Sequence, residues 1–163
     1  MKKLIIVRHA KSSWDALTLT DFDRPLNARG LHDAPAMARH LLSKGISIDA
    51  FISSPAVRAK TTALSFMEVF QKPASELILI PELYHPVSNA LFNAVCDADN
   101  TYETICIFSH NPGITEFVNR LTTTKIDNMP TCGVFAITSD TPHWNEFDMA
   151  NHQFWFFDYP KAI

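Results

Sequence analysis

Arg8 and His9 stand side by side where a run of four branched aliphatic residues, 4–7, stops. Such a run reads as a strand buried on both faces in a parallel sheet, and ligands of such sheets bind at the carboxyl ends of the strands. A guanidinium placed there clamps anionic oxygens, and a neutral imidazole beside it offers a nucleophilic nitrogen, so the pair suits chemistry on a phosphoryl group. Arg58, Glu82 and His110 follow three further apolar runs, 49–53, 77–80 and 104–108. In an open parallel sheet those four strand ends converge on one edge.

The segments between the runs must supply the layers that hold that edge together. Residues 31–43 carry Ala34, Met37, Ala38, Leu41 and Leu42 at three- and four-residue spacing, with Gly30 before and Gly45 closing, and read as an amphipathic helix. Ser54 as cap and Pro55 at the first helical position predict a helix running toward Phe70. Residues 88–98 read as a third helix, and Asn111 as cap with Pro112 in the first turn predicts a fourth through Leu121. Residues 12–29 form the longest irregular segment. The last runs, 133–137, 144–148 and 153–157, read as strands with no room between them for helical crossovers, which requires antiparallel pairing. The expectation is an α/β fold of three layers, α/β/α, around a mixed, mostly parallel sheet.

A chain of 163 residues, 47% of them hydrophobic, fits one globular domain spanning residues 1–163. A formal charge of -3 with scattered cations argues against a general nucleic-acid binder. Cys96, Cys106 and Cys132 are odd in number and form no Cys-x-x-Cys pair, which excludes a disulfide framework and points to a reducing compartment. The apolar run after Lys3 is too short for a signal-peptide core, and no run approaches membrane-spanning length, so a soluble, cytoplasmic protein with no membrane partner is expected. His32, His40, His85, His143 and His152 match no metal-ligand template, and neither metal nor other cofactor is expected. The aromatic run 154–157 reads as edge-strand core, since no basic residues interleave it.

Four stretches fall in a familiar order: Arg8-His9-Ala10; Asp23-x-x-Leu26-x-x-x-Gly30-x-x-x-Ala34; Ser53-Ser54-Pro55-x-x-Arg58-Ala59-x-x-Thr62; and Ser109-His110-Asn111-Pro112-Gly113. Together they resemble the histidine phosphatase superfamily, with its phosphoglycerate mutase-like fold. The short length, Arg24-Pro25-Leu26 and the His-Asn-Pro-Gly form look like the SixA-type phosphohistidine phosphatases. By that resemblance His9 is the nucleophile that accepts the phosphoryl group, Arg8, Arg58 and His110 bind it, and Glu82 stands where relatives place a general acid. The implied activity is metal-independent hydrolysis of phosphohistidine on a protein, through a phosphohistidine intermediate on His9. The alternatives are a phosphomonoesterase of small metabolites using the same site, or an idle phospho-binding module. Only about twenty positions separate Glu82 from the run at 104, too few for the large helical lid of bigger members. A shallow site admits a side chain projecting from a phosphorylated protein more readily than it encloses a small phosphorylated substrate.

Each residue also has a plainer reading. Glu82 is otherwise a solvated loop glutamate, His110 a core histidine satisfied by backbone, and Arg58 a helix-surface arginine. In the first turn of a helix, however, a cation opposes the helix dipole, and an anionic ligand would offset that. Ser12 could donate to phosphate or simply make a turn, Arg24 could contact phosphate or substrate, and Asn111 could aim backbone amides at the anion. Nearby cations should depress the His9 pKa, and a protonated His110 would add a donor. Many relatives have glycine after the nucleophile and an amide six residues beyond it, where this chain has Ala10 and Asp15. Asp15 is expected to face away from the site, toward an arginine.

Overall fold

The apolar run 4–7 lies within strand β1 (Lys2–Arg8), and its alternation divides the interior in two. Ile5 and Val7 point into one hydrophobic cluster, Leu4 and Ile6 into another, and all four are fully buried. The computed structural model describes residues 1–15, 19–87 and 89–163. Among them the sheet has six strands, adding β2 (Ala50–Ser53), β3 (Ile78–Leu79), β4 (Thr104–Ser109), β5 (Val134–Ser139) and β6 (His152–Asp158), in the order β3-β2-β4-β1-β5-β6. The first four are mutually parallel, whereas β5 runs antiparallel to both β1 and β6.

That order fixes where the helices lie. Chain progress from β1 to β2 to β3 runs one way across the sheet, and right-handed crossovers place α1 (Ala28–Ser43) and α2 (Val57–Val69) on the same face. The return from β3 to β4 reverses direction and puts α3 (Ala90–Cys96) on the other, where α4 (Gly113–Asn119) joins it. The result is a three-layer α/β/α sandwich. Because the segments leaving neighbouring β1 and β4 depart to opposite faces, a crevice opens at their carboxyl ends. Between Tyr84 and Thr104 the described residues carry a single helix, α3, in place of a large lid.

Gly30 lies inside α1, not before it. Asn27 caps the helix, its side chain accepting from the Gly30 N–H at 2.9 Å, and a Cβ on Gly30 would sit 2.2 Å from the Lys11 carbonyl oxygen. The loop leaving β1 therefore packs directly on helix backbone. The expected strand at 144–148 is instead a 3-10 helix, Trp144–Met149. In that helix residues three apart share a face, so Trp144 and Phe147 both fill the second cluster, and the Trp144 indole donates to the Tyr102 carbonyl at 2.8 Å. Helix α2 starts at Val57 behind Ala56, and α4 is a shorter helix than the expected run to Leu121, with Pro112 rather than Asn111 at its cap. No helix among the described residues is long and apolar enough to cross a membrane.

Candidate active site

The carboxyl ends of β1 and β4 pair Arg8 with Ser109 in register, so His9 and His110 emerge side by side in the crevice. Their ring centroids are 5.1 Å apart, and both residues are buried, at 7% and 3% exposure. His9 Nδ1 lies 2.8 Å from the Ala10 carbonyl oxygen, which can only accept. Nδ1 therefore carries the proton, and in the neutral ring Nε2 keeps its lone pair. Burial, reinforced by the charges of Arg58, Arg8 and Arg24, holds the His9 pKa down at about 4. The cations act in the expected direction, but burial is the larger cause.

Ala10 is itself anchored, its N–H donating to Thr62 Oγ1, whose hydroxyl donates to the Arg58 carbonyl. The peptide after His9 and the first turn of α2 are thereby tied together. On the other side of β1, the Cys132 N–H reaches the carbonyls of both Arg8 and His9. The Arg8 side chain donates from Nη1 to the Met129 carbonyl at 2.9 Å, while its Nε has no acceptor among the described residues.

His110 is held as a neutral ring. Burial, with His9 and Arg58 close by, pushes its pKa down to about 2. Its Nε2 sits 2.8 Å from Ser54 Oγ, and that oxygen also accepts from the Ala56 N–H. A hydroxyl that accepts from Ala56 and donates to Nε2 satisfies both neighbours and leaves the proton of His110 on Nδ1, which has no partner among the described residues. Ser54 thus works as a bridge to His110 rather than as a helix cap.

Arg58 sits buried in the first turn of α2, at 5% exposure. Part of the anion it requires comes from within the chain. Nη1 donates to the Asp21 carbonyl at 2.7 Å and Nη2 to Asp21 Oδ2 at 3.1 Å, leaving Nε without an acceptor among the described residues. Asp21 Oδ2 also accepts from the Tyr84 hydroxyl at 2.6 Å, and Oδ1 from Arg24 Nε at 3.1 Å. These donors, Tyr84 foremost, hold the Asp21 carboxyl at about 2. Arg24 continues to Ser12 Oγ at 3.0 Å, with its guanidinium 3.5 Å from the centroid of the exposed Trp14 ring.

Arg8, His9, Arg58 and His110 are thus brought together, with Arg24 and Ser12 at the rim. Glu82 lies on the 3-10 turn Pro81–Leu83, which is held by Ile80 N–H to the Ser53 carbonyl and by Ser109 Oγ to the Leu83 carbonyl. Its side chain is exposed. Asn111 spends its amide elsewhere. Nδ2 donates to Asn128 Oδ1 and the Met129 carbonyl, and Oδ1 accepts from Thr115, which makes it a brace for the loop before β5. Asp15 is exposed, and the carboxylate that meets Arg24 and Arg58 is Asp21. Sequence reading missed Asp21, Ser54 and Tyr84 as site residues, and it set His85 aside although that ring packs on Tyr84 at 4.0 Å. Beyond Glu82, Tyr84 and His85 a groove of about 650 Å³ runs along α3.

Residues 4–84 match the histidine phosphatase superfamily (branch 1). An uncharacterized chloroplastic protein of Arabidopsis thaliana is 31% identical over 153 residues, covering 89% of this chain and 70% of the relative. Among solved structures, the SixA protein of Agrobacterium tumefaciens, assigned as a phosphohistidine phosphatase, superposes with a TM-score of 0.80 at 21% identity, over 98% of both chains. The protein histidine phosphatase SixA complexed with tungstate superposes at 0.77 with 23% identity, over 98% of this chain and 97% of the other.

Proposed function

Since the chain belongs to the histidine phosphatase superfamily, we propose that it is a metal-independent phosphatase that hydrolyses phosphohistidine on proteins through a phosphoryl group carried on His9. The observation that carries this reading is the His9 ring itself. It is buried and neutral, with Nδ1 held by the Ala10 carbonyl and a free lone pair on Nε2, beside two guanidiniums and a second histidine. Nε2 attacks phosphorus, the bond from phosphorus to the leaving nitrogen breaks, and Glu82 delivers a proton to that nitrogen. Water then attacks the phosphoryl group on His9, its proton passes to Glu82, and phosphate departs with the ring restored. Arg8, Arg58 and the Nδ1–H of His110 stabilise the oxygens as charge shifts on them. A dianion would also give acceptors to donors that the protein leaves unpaired.

The single short helix between Tyr84 and Thr104, in place of a large lid, supports a phosphorylated protein side chain as substrate, and the three free thiols fit a reducing cytoplasm. The test is hydrolysis of an aryl phosphate in excess chelator, with labelled enzyme trapped by an alkaline detergent quench. Turnover should survive the chelator, and the label should be alkali-stable, acid-labile and absent from His9→Ala. Activity abolished by the chelator, or label persisting in His9→Ala, would refute the mechanism. Faster turnover of a phosphohistidine protein than of sugar phosphates is expected, and the reverse order would favour the small-molecule phosphomonoesterase.

A further inference from the structure

We infer that Asp21 is a positioning residue for phosphoryl transfer, holding Arg58 in its working orientation and tying it to the turn that carries Glu82. The inference rests on the phosphatase reading of the site. Arg58 is a buried cation at the amino end of α2, where the helix dipole repels it. An arginine in that place needs a fixed counter-anion or it turns toward solvent.

Asp21 supplies one with a fork. Its carbonyl and its Oδ2 each take a hydrogen from a different Nη of Arg58, which pins the far end of the guanidinium. The remaining N–H groups, including the Nε–H that has no acceptor among the described residues, are left for the phosphoryl oxygens. The same carboxylate receives Tyr84, two residues beyond Glu82, and Arg24, which reaches back to Ser12. One side chain thereby gathers the loop after β1, the start of α2 and the turn after β3. The charges fit as well: three guanidiniums less one carboxylate leave two positive charges for a dianion. Asp21 does not touch the reacting atoms in this scheme. It acts through Arg58.

The experiment compares Asp21→Ala and Asp21→Asn with wild type on an aryl phosphate, and follows the Arg58 Nε–Hε resonance, identified by its loss in Arg58→Lys. For Asp21→Ala, kcat should fall roughly ten- to hundredfold with KM within about twofold. Asp21→Asn, which keeps one acceptor, should fall less. Added formate should restore kcat in Asp21→Ala but not in Arg58→Ala, with chloride at equal ionic strength as control. The Arg58 resonance should be sharp in wild type, broadened in Asp21→Ala and sharp again with formate. Unchanged kcat with an unchanged resonance would overturn the assignment. So would a loss of kcat that formate leaves unrestored, because a general effect on folding cannot be repaired that way. A wild type inert on every phosphate would defeat the phosphatase reading alone, since the resonance still reports whether Asp21 holds Arg58.

Discussion

His9 gives the sharpest expectation at the scale of single residues. A ring titrating at about 4 instead of 6.5 loses its Nε2 lone pair only when the pH falls through that lower value. The acid limb of kcat/KM on an aryl phosphate should therefore lie near pH 4, with no loss of activity between 7 and 5.5. A limb near 6.5 would mean that the ring is not held neutral by its surroundings. Arg8, His9, Arg58 and His110 were legible from sequence because each announces itself locally, as a polar residue that ends or follows an apolar run. Asp21 and Tyr84 could not be found that way. Their significance arises from a contact spanning sixty-three positions, and before folding Asp21 is one of several acidic residues in a polar loop. The protonation state of His110 was left open by the sequence for a related reason, since the burial that keeps it neutral belongs to the assembled crevice.

Among the elements, α1 depends on Gly30 through a close approach that no side chain tolerates. The Lys11 carbonyl would meet a new Cβ at 2.2 Å, and the atom it meets is backbone, which cannot swing aside. Gly30→Ala should lower stability by about 1–3 kcal/mol, read as a reduced midpoint in urea. Because Lys11 lies two residues beyond His9, the displaced loop should also lower kcat. Helix α1 itself was readable from its three- and four-residue spacing, and β1, β2 and β4 from unbroken apolar runs. The 3-10 helix at Trp144 was misread because a short segment with apolar residues three apart carries too few turns to separate periods of two and three. The start of α4 was misjudged because the Asn111 side chain prefers partners before β5 to the helix end beside it.

In the whole molecule, topology decides where chemistry is possible. The reversal of chain direction between β3 and β4 opens the crevice where the two histidines meet, and the mixed character of the sheet around it was evident from the connection lengths. The order of the strands was not evident, because apolar runs show that strands are buried without showing which are neighbours.

Strand β1 lends alternate side chains to both hydrophobic clusters and stops one residue before His9, the proposed nucleophile. On the proposed mechanism, chemistry and cohesion share one beam, so that His9 is not displaced without loosening the sheet beside it. Loss of turnover and loss of intrinsic tryptophan signal should trace the same curve as urea rises; inactivation well ahead of that signal would show that the crevice can come apart while the sheet endures.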